Sequence, residues 1–183
     1  MQPFNEAKAT QAAALILKLR GGKMSYMKLI KILYLVDREA LLRWGRPVTN
    51  DSIVSMDRGQ VLSRTLDLIN EGSEPNHPSV WAEYISGTEG YDVALKKEAP
   101  TDELSEAEER LIEELFAQYG NKSRWELVDI HHNLPEWQDP QGGAIPITYR
   151  DILRAAKKSE LEIAAIEEEL RHLGLVNSIL SVR

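Results

Sequence analysis

Residues 24–46, MSYMKLIKILYLVDREALLRWGR, form the longest stretch of the chain that predicts a helix too apolar to lie on a surface. Ser25 is a candidate N-terminal cap, and Gly45 is a candidate stop. When the side chains are placed at helical spacing, the apolar residues gather on one side, and Asp37 falls in the middle of that side. A buried carboxylate is costly unless it is hydrogen-bonded, so the pattern predicts a partner for Asp37 elsewhere in the chain.

The other side of this helix is narrow and polar, and it carries Lys28 and Lys31. These lysines predict either a solvated stripe or part of a binding face. Charge is also uneven along the chain: residues 1–64 have 11 Lys and Arg against 5 Asp and Glu, whereas residues 65–183 have 11 against 24. The two halves of one fold could attract each other, or a basic patch could meet an acidic partner.

Length and composition indicate a single globular domain, residues 1–183. The chain is 43% hydrophobic and 28% charged, which is ordinary for a folded protein. The absence of cysteine excludes disulfides, thiol catalysis and thiolate metal sites. No run is long and apolar enough for a membrane span, and the polar start lacks the features of a secretory signal, so we expect a cytoplasmic protein without a membrane partner.

Periodicity predicts an α+β fold that is predominantly helical, with about seven helices and one small β-hairpin or short sheet. The hairpin is expected where residues 81–86 and 91–97 alternate apolar and polar side chains around a short glycine-containing loop. Residues 52–56 predict a further short strand. The expected helices cover residues 5–20, 25–45, 61–70, 104–119, 123–132, 148–158 and 160–173. The apolar tail, residues 175–183, could pack on the domain or contact a partner.

Histidine and aspartate are concentrated near the end of one short helix. Asp129 and His132 are three residues apart and would share a face, as a general base or a metal pair requires. A third metal ligand would have to be assumed, and the sequence predicts no metal, no cofactor and no phosphate-binding loop. The alternative is a structural histidine that donates to a backbone carbonyl or to a buried carboxylate. Asp37 is such a carboxylate, and Arg58 is an equal candidate for its donor.

Trp137 lies in a proline-flanked loop, LPEWQDP. An aromatic side chain in such a loop either fixes the loop to the core or is exposed for a partner. Its apolar neighbours Leu134 and Pro135 favour the first interpretation.

Three motifs, in this order and spacing, resemble the Panacea domain of the SocA-like antitoxin family. The first, in the long helix, contains Lys28, Lys31 and Tyr34 and ends in a Gly-Arg-Pro turn. The second is MDRGQVLS, carried by Gly59 and Val61, with Gln60 where the family usually has proline. The third runs from LSEAEERL to the Pro-Glu-Trp loop and contains His132, Pro135 and Trp137. Together they cover residues 23–158.

The resemblance implies a small, non-enzymatic antitoxin, often encoded by bacteria, phages or prophages, that neutralises a cognate toxin by direct protein contact. It does not identify the toxin, because the family is paired with many unrelated ones, and it leaves the oligomeric state open. Two other classes remain as alternatives: a small hydrolase that uses Asp129 and His132, and a DNA-binding regulator that uses the basic N-terminal third. The overall charge of −7 makes nucleic acid the weaker expectation.

Overall fold

The computed structural model describes residues 3–71 and 79–180, and within them it shows a mostly helical α+β fold with two small sheets. The elements, in chain order, are α1 (Glu6–Leu19), β1 (Lys23–Ser25), α2 (Tyr26–Trp44), β2 (Ile53–Met56), β3 (Gly59–Leu62), α3 (Ser63–Glu71), α4 (Val80–Tyr84), β4 (Asp92–Ala94), α5 (Glu106–Tyr119), α6 (Arg124–His132), β5 (Ile145–Ile147), α7 (Tyr149–Ala155) and α8 (Glu160–Leu180).

Helix α2 is the centre of the fold, as its apolar sequence predicts. It packs against α1, α3, α5, α6 and α7 and against β1 and β3. Its residues from Met27 to Asp37 are all buried. Gly45 ends the helix in the left-handed conformation, with φ of 70°, and its N–H donates to the carbonyl of Leu41. The stop predicted at Gly45 is confirmed, whereas Ser25 makes no side-chain capping hydrogen bond.

The sheets differ in part from the expected hairpin, of which the second strand and the isolated antiparallel bridges Ile85–Leu95 and Glu89–Asp92 are present. Residues 80–84 form helix α4, because Ser79 caps it by accepting from the N–H of Ala82. Strand β4 pairs antiparallel with β1. In this register Asp92 lies opposite Ser25, which is 67 residues earlier in the chain. The hairpin of the fold is instead β2–β3, and β5 joins β2 on its other edge.

The remaining helices follow their capping signals. Ser105 and Glu108 form the predicted capping box at the start of α5, and Ser123 with Glu126 and Thr148 with Asp151 form two more. Helix α8 does not end before Gly174 but continues to Leu180, so most of the apolar tail is helical. Leu175 is exposed at its side chain, and residues 181–183 lie outside the described part of the chain.

Candidate functional site: a buried polar network on the central helix

Lys28 and Lys31 do not form an exposed stripe, so that expectation is wrong. Lys31 is 1% exposed and Lys28 is 9% exposed. Helices α5 and α6 and strand β3 cover this side of α2, and the long lysine stems are buried along them. The Nζ of Lys28 donates to the carbonyl of Gly120, 2.9 Å away, at the end of α5.

Lys31 is held without a carboxylate partner. Its Nζ donates to the backbone carbonyl of Gln60 on β3, 2.9 Å away, and it forms no ion pair within the described residues. Burial lowers the pKa of Lys31 to about 7. Near neutral pH this side chain therefore exists as both ammonium and amine, and either form can donate to the carbonyl.

His131, on α6, joins the same group of residues. Its Nε2 donates to the carbonyl of Lys31, 3.2 Å away. Burial, followed by the positive charge of Lys31, holds the pKa of His131 well below its usual range, so the ring is neutral. The Oε1 atom of Gln60 lies 3.1 Å from Nδ1. A neutral ring that donates from Nε2 accepts at Nδ1, so this contact requires the Gln60 amide in the flipped orientation, with its NH₂ group toward the ring.

Gly59 is where the β2–β3 hairpin comes closest to this network. Its φ is 92°, which favours glycine, and a Cβ at this position would lie 2.6 Å from the Cβ of His131 and 3.1 Å from the Nζ of Lys31. No side chain fits there unless α6 moves away from β3. The glycine of the second motif therefore permits the contact between the hairpin, α2 and α6.

A second part of the network joins α2 to the loop that follows α6. The hydroxyl of Tyr34 donates to Oε1 of Glu136 at 2.7 Å, and Nε of Arg38 donates to the same oxygen at 2.6 Å. Glu136 is 4% exposed, so this ion pair is largely shielded from water. Burial, together with the Glu136 carboxylate, raises the pKa of Tyr34 above its usual range. The Tyr34 and His131 rings lie 5.1 Å apart, which connects the two parts.

Asp37 is buried as predicted, with 1% exposure, but its partner is neither His132 nor Arg58. Its Oδ1 accepts from the backbone N–H groups of Val48 and Thr49, at 2.9 and 3.0 Å, and its Oδ2 accepts from the Thr49 hydroxyl. The turn after α2 folds back over the helix and supplies these donors locally. Burial outweighs the hydrogen bonds and raises the pKa of Asp37 to about 7.

The two residues that were candidate partners of Asp37 lie at the outer edge of the network. The Nε2 of His132 donates to the carbonyl of Asp57 at 2.9 Å, and the His132 ring lies 4.2 Å from that of Trp137. The Nε1–H of Trp137 donates to the carbonyl of Met56. Arg58 points to the surface and lies over Trp125. Trp137 is thus a half-buried anchor for its loop, as its neighbours suggested.

The structure brings Lys31, Tyr34 and Gly59 into one network and places Lys28 and Asp37 in separate contacts. Sequence reasoning missed His131, Glu136 and Gln60 as members. For His131 a signal was available: it follows the buried Leu127 and Val128 by four and three residues, so it lies on the apolar face of α6.

No observation joins Asp129 to a hydrolytic site. Asp129 is exposed, whereas His132 faces Asp57 and Trp137. The two carboxylates that could complete such a site make other hydrogen bonds. Asp37 accepts from the turn after α2, and Glu136 accepts from Tyr34 and Arg38. Among the described residues, no group of three or more His, Asp or Glu side chains is arranged to hold a metal ion.

The basic N-terminal third pairs with the acidic remainder of the chain. Within the described residues, five cationic side chains of residues 1–64 form ion pairs with later carboxylates: Lys8 with Glu108, Lys18 with Glu98, Lys23 with Asp92, Arg38 with Glu136 and Arg43 with Glu114. The attraction between the two halves of one fold therefore accounts for much of the charge asymmetry.

The fold and the network define a mostly helical α+β domain in which α2 is tied to a β-hairpin, to α6 and to the loop that follows it. The family model described as "Antitoxin SocA-like, Panacea domain" matches residues 29–138, from α2 to the Trp137 loop. The chain belongs to this family, which confirms the resemblance over a shorter range than the expected 23–158. Comparison with curated proteins and with solved structures gives no significant match. Within the described residues, no helix combines the length and the apolar character needed to cross a membrane.

Proposed function

We propose that the protein is an antitoxin that neutralises a cognate toxin by direct protein–protein contact and catalyses no reaction. The observation that carries this proposal is the family match over residues 29–138. The range includes every element of the buried network, so the matched residues form one connected structural unit. We further propose that residues 1–183 act as one domain, since α1 and α8, outside the matched range, contribute Ile16 and Ile163 to the shared core. We place this domain in the cytoplasm as part of the same proposal.

The contacts of the candidate chemical groups support a binding role. Lys31 donates to a backbone carbonyl, His131 lies between a backbone carbonyl and an amide, and Glu136 accepts from two side chains. Each group holds one segment of the chain against another and is buried. A general acid or base needs access to a substrate proton, which the buried His131 and Glu136 do not offer. The network is therefore suited to holding a surface in shape.

Co-expression tests this proposal. The reading frames that flank the gene are placed under an inducible promoter, alone and together with this protein. We expect one of them to stop growth when expressed alone, to be harmless in the presence of the protein, and to co-purify with it. If no flanking product is toxic, or if growth arrest persists at equal expression of both proteins, the antitoxin proposal is wrong.

A further inference from the structure

Two large aromatic side chains are exposed close to each other on the surface beside the network. Tyr91 is 61% exposed and Trp125 is 52% exposed. The guanidinium of Arg124 lies 5.3 Å from the ring centroid of Tyr91 and 5.0 Å from that of Trp125, and the guanidinium of Arg58 lies 5.7 Å from that of Trp125. These four residues, from three separate segments, form a continuous surface feature that we call the arginine–aromatic stack.

Hydrogen bonds fix each segment that contributes to the stack. The N–H of Tyr26 donates to the carbonyl of Tyr91 at 2.9 Å. A capping box fixes the start of α6, where Arg124 and Trp125 lie. The turn that carries Arg58 is held at Asp57, whose carbonyl accepts from His132 and whose carboxylate accepts from a backbone N–H. A surface that is ordered before binding loses less conformational entropy when a partner docks.

The arginines of the stack have no carboxylate partner among the described residues. Arg38, Arg43 and Arg150 each pair with a glutamate, whereas Arg58 and Arg124 form no ion pair within the described residues. A guanidinium that lies over a ring face keeps its in-plane N–H donors available for a carboxylate. Trp, Tyr and Arg are also the residue types that carry most binding energy at protein interfaces.

A pocket of about 240 Å³ continues the stack. Arg58 belongs to both, and the buried Lys31 also lines the pocket. Asp57 also lines the pocket, and its carboxylate accepts from the N–H of Gly142. The other lining side chains are apolar: Tyr26, Met27, Ile30, Met56, Val61 and Leu66. The pocket can therefore accept an apolar side chain of a molecule that lies across the stack.

We propose that the arginine–aromatic stack and this pocket form the docking surface for an acidic segment of the toxin. Carboxylates of the segment would pair with Arg58 and Arg124, and a neighbouring apolar side chain would fill the pocket. The identity of the partner as a toxin rests on the proposed function. Nucleic acid fits less well, because guanidinium groups already lie over the rings on which bases would stack and the net charge is −7.

Paired variants test the surface. Trp125→Ala removes an aromatic ring of the stack, and Arg58→Glu reverses a charge. Two control variants make matched changes at exposed positions elsewhere: Leu161→Ala on α8, where Leu161 is 83% exposed, and Arg110→Glu on α5. The affinity of each variant is measured by calorimetry against the toxin identified by co-expression. We expect roughly a tenfold or greater loss for the two stack variants and near wild-type affinity for the two controls. Unchanged thermal unfolding of the stack variants would show that folding is intact.

The outcomes separate the two proposals. If the wild-type protein neutralises the toxin and the stack variants bind as tightly as the controls, the docking surface is wrong and the antitoxin function stands. If no toxin is found, the antitoxin proposal fails, and a phage-displayed library of random peptides then tests the surface alone. Selected peptides rich in Asp and Glu that bind neither Trp125→Ala nor Arg58→Glu would support it. The docking surface would be overturned if the selected peptides bound both variants as tightly as the wild-type protein, or if no peptide were selected. Binding of a fluorescent oligo-dT that depends on Trp125 would also overturn it.

Discussion

Replacing Asp37 by alanine tests the central contact of the fold. The change removes the acceptor of two backbone N–H groups, those of Val48 and Thr49, both of which are buried. A buried donor without a partner costs ~1–3 kcal/mol, so the two together cost ~2–6 kcal/mol. Relief from burying a carboxylate offsets part of this cost. We therefore expect Asp37→Ala to lower the free energy of unfolding by ~3 kcal/mol.

For a chain of this length, each kcal/mol changes the melting temperature by ~2–4 °C, so the expected decrease is ~6–12 °C. Circular dichroism during urea and thermal unfolding measures both quantities. Glu39→Ala is the matched control, since Glu39 lies on the same helix and its partner is the exposed Arg43; we expect it to change stability by less than ~0.5 kcal/mol. A loss below ~1 kcal/mol for Asp37→Ala would refute the hydrogen bonds to the turn.

Three further predictions concern stability. Gly59→Ala should destabilise by ~2 kcal/mol or more, because the new Cβ would meet His131 and the residue has φ of 92°. Trp137→Phe should cost ~1 kcal/mol through loss of the hydrogen bond to the Met56 carbonyl. Asp37→Asn should reduce the pH dependence of stability. In the folded protein Asp37 has a pKa of about 7, so it keeps a proton that the same side chain loses above pH ~4 in the unfolded chain. The stability of the wild-type protein therefore falls as the pH rises from about 4 to about 7.

Each of these predictions has a control measured by the same urea unfolding. Gly87→Ala introduces a Cβ into open space, and equal losses at Gly87 and Gly59 would contradict the close contact with α6. Trp125→Phe changes an exposed ring. If it lowered the free energy of unfolding as much as Trp137→Phe does, the loss could not be assigned to the hydrogen bond between Trp137 and the Met56 carbonyl. For Asp37→Asn, a slope of stability between pH 4 and 7 equal to that of wild type would show that Asp37 is ionised throughout.

The sequence predicts features whose causes are local. The capping box of Ser105 and Glu108 and the left-handed stop at Gly45 depend on residues within one turn of the helix, so the pattern alone was sufficient. The hairpin predicted at residues 81–97 forms only in part, through the isolated bridges Ile85–Leu95 and Glu89–Asp92, because two causes compete there. Alternation favoured a strand, but Ser79 and the carboxylate of Glu6 both hold the N-terminus of α4 by accepting its N–H groups. Glu6 is distant in sequence, and periodicity cannot reveal such a contact.

The network shows the same limit at the level of function. Helical spacing correctly separates Lys28 and Lys31 from the apolar side of α2, but it cannot tell whether another element covers the polar side. Burial follows from β3 and α6, whose approach depends on the absence of a side chain at Gly59. The amide of Gln60, where the family usually has proline, supplies an additional contact to His131. These hydrogen bonds join residues that are between 29 and 102 positions apart in the chain. A local sequence pattern does not contain such contacts.

Motif residues and the proposed docking residues have different structural roles. Lys31, Tyr34 and Gly59 carry the family resemblance, and they lie in contacts that hold the hairpin and α6 on the central helix. Arg58 lies in the second motif and Arg124 and Trp125 lie in the third, beside the positions that match the family, and all four stack residues project from segments that pack near this network. The resemblance implies a family that pairs one domain with many unrelated toxins, and under the proposed function such pairing needs a constant scaffold and a variable surface. The division between network and stack meets that requirement, because the exposed residues can change without disturbing the buried contacts.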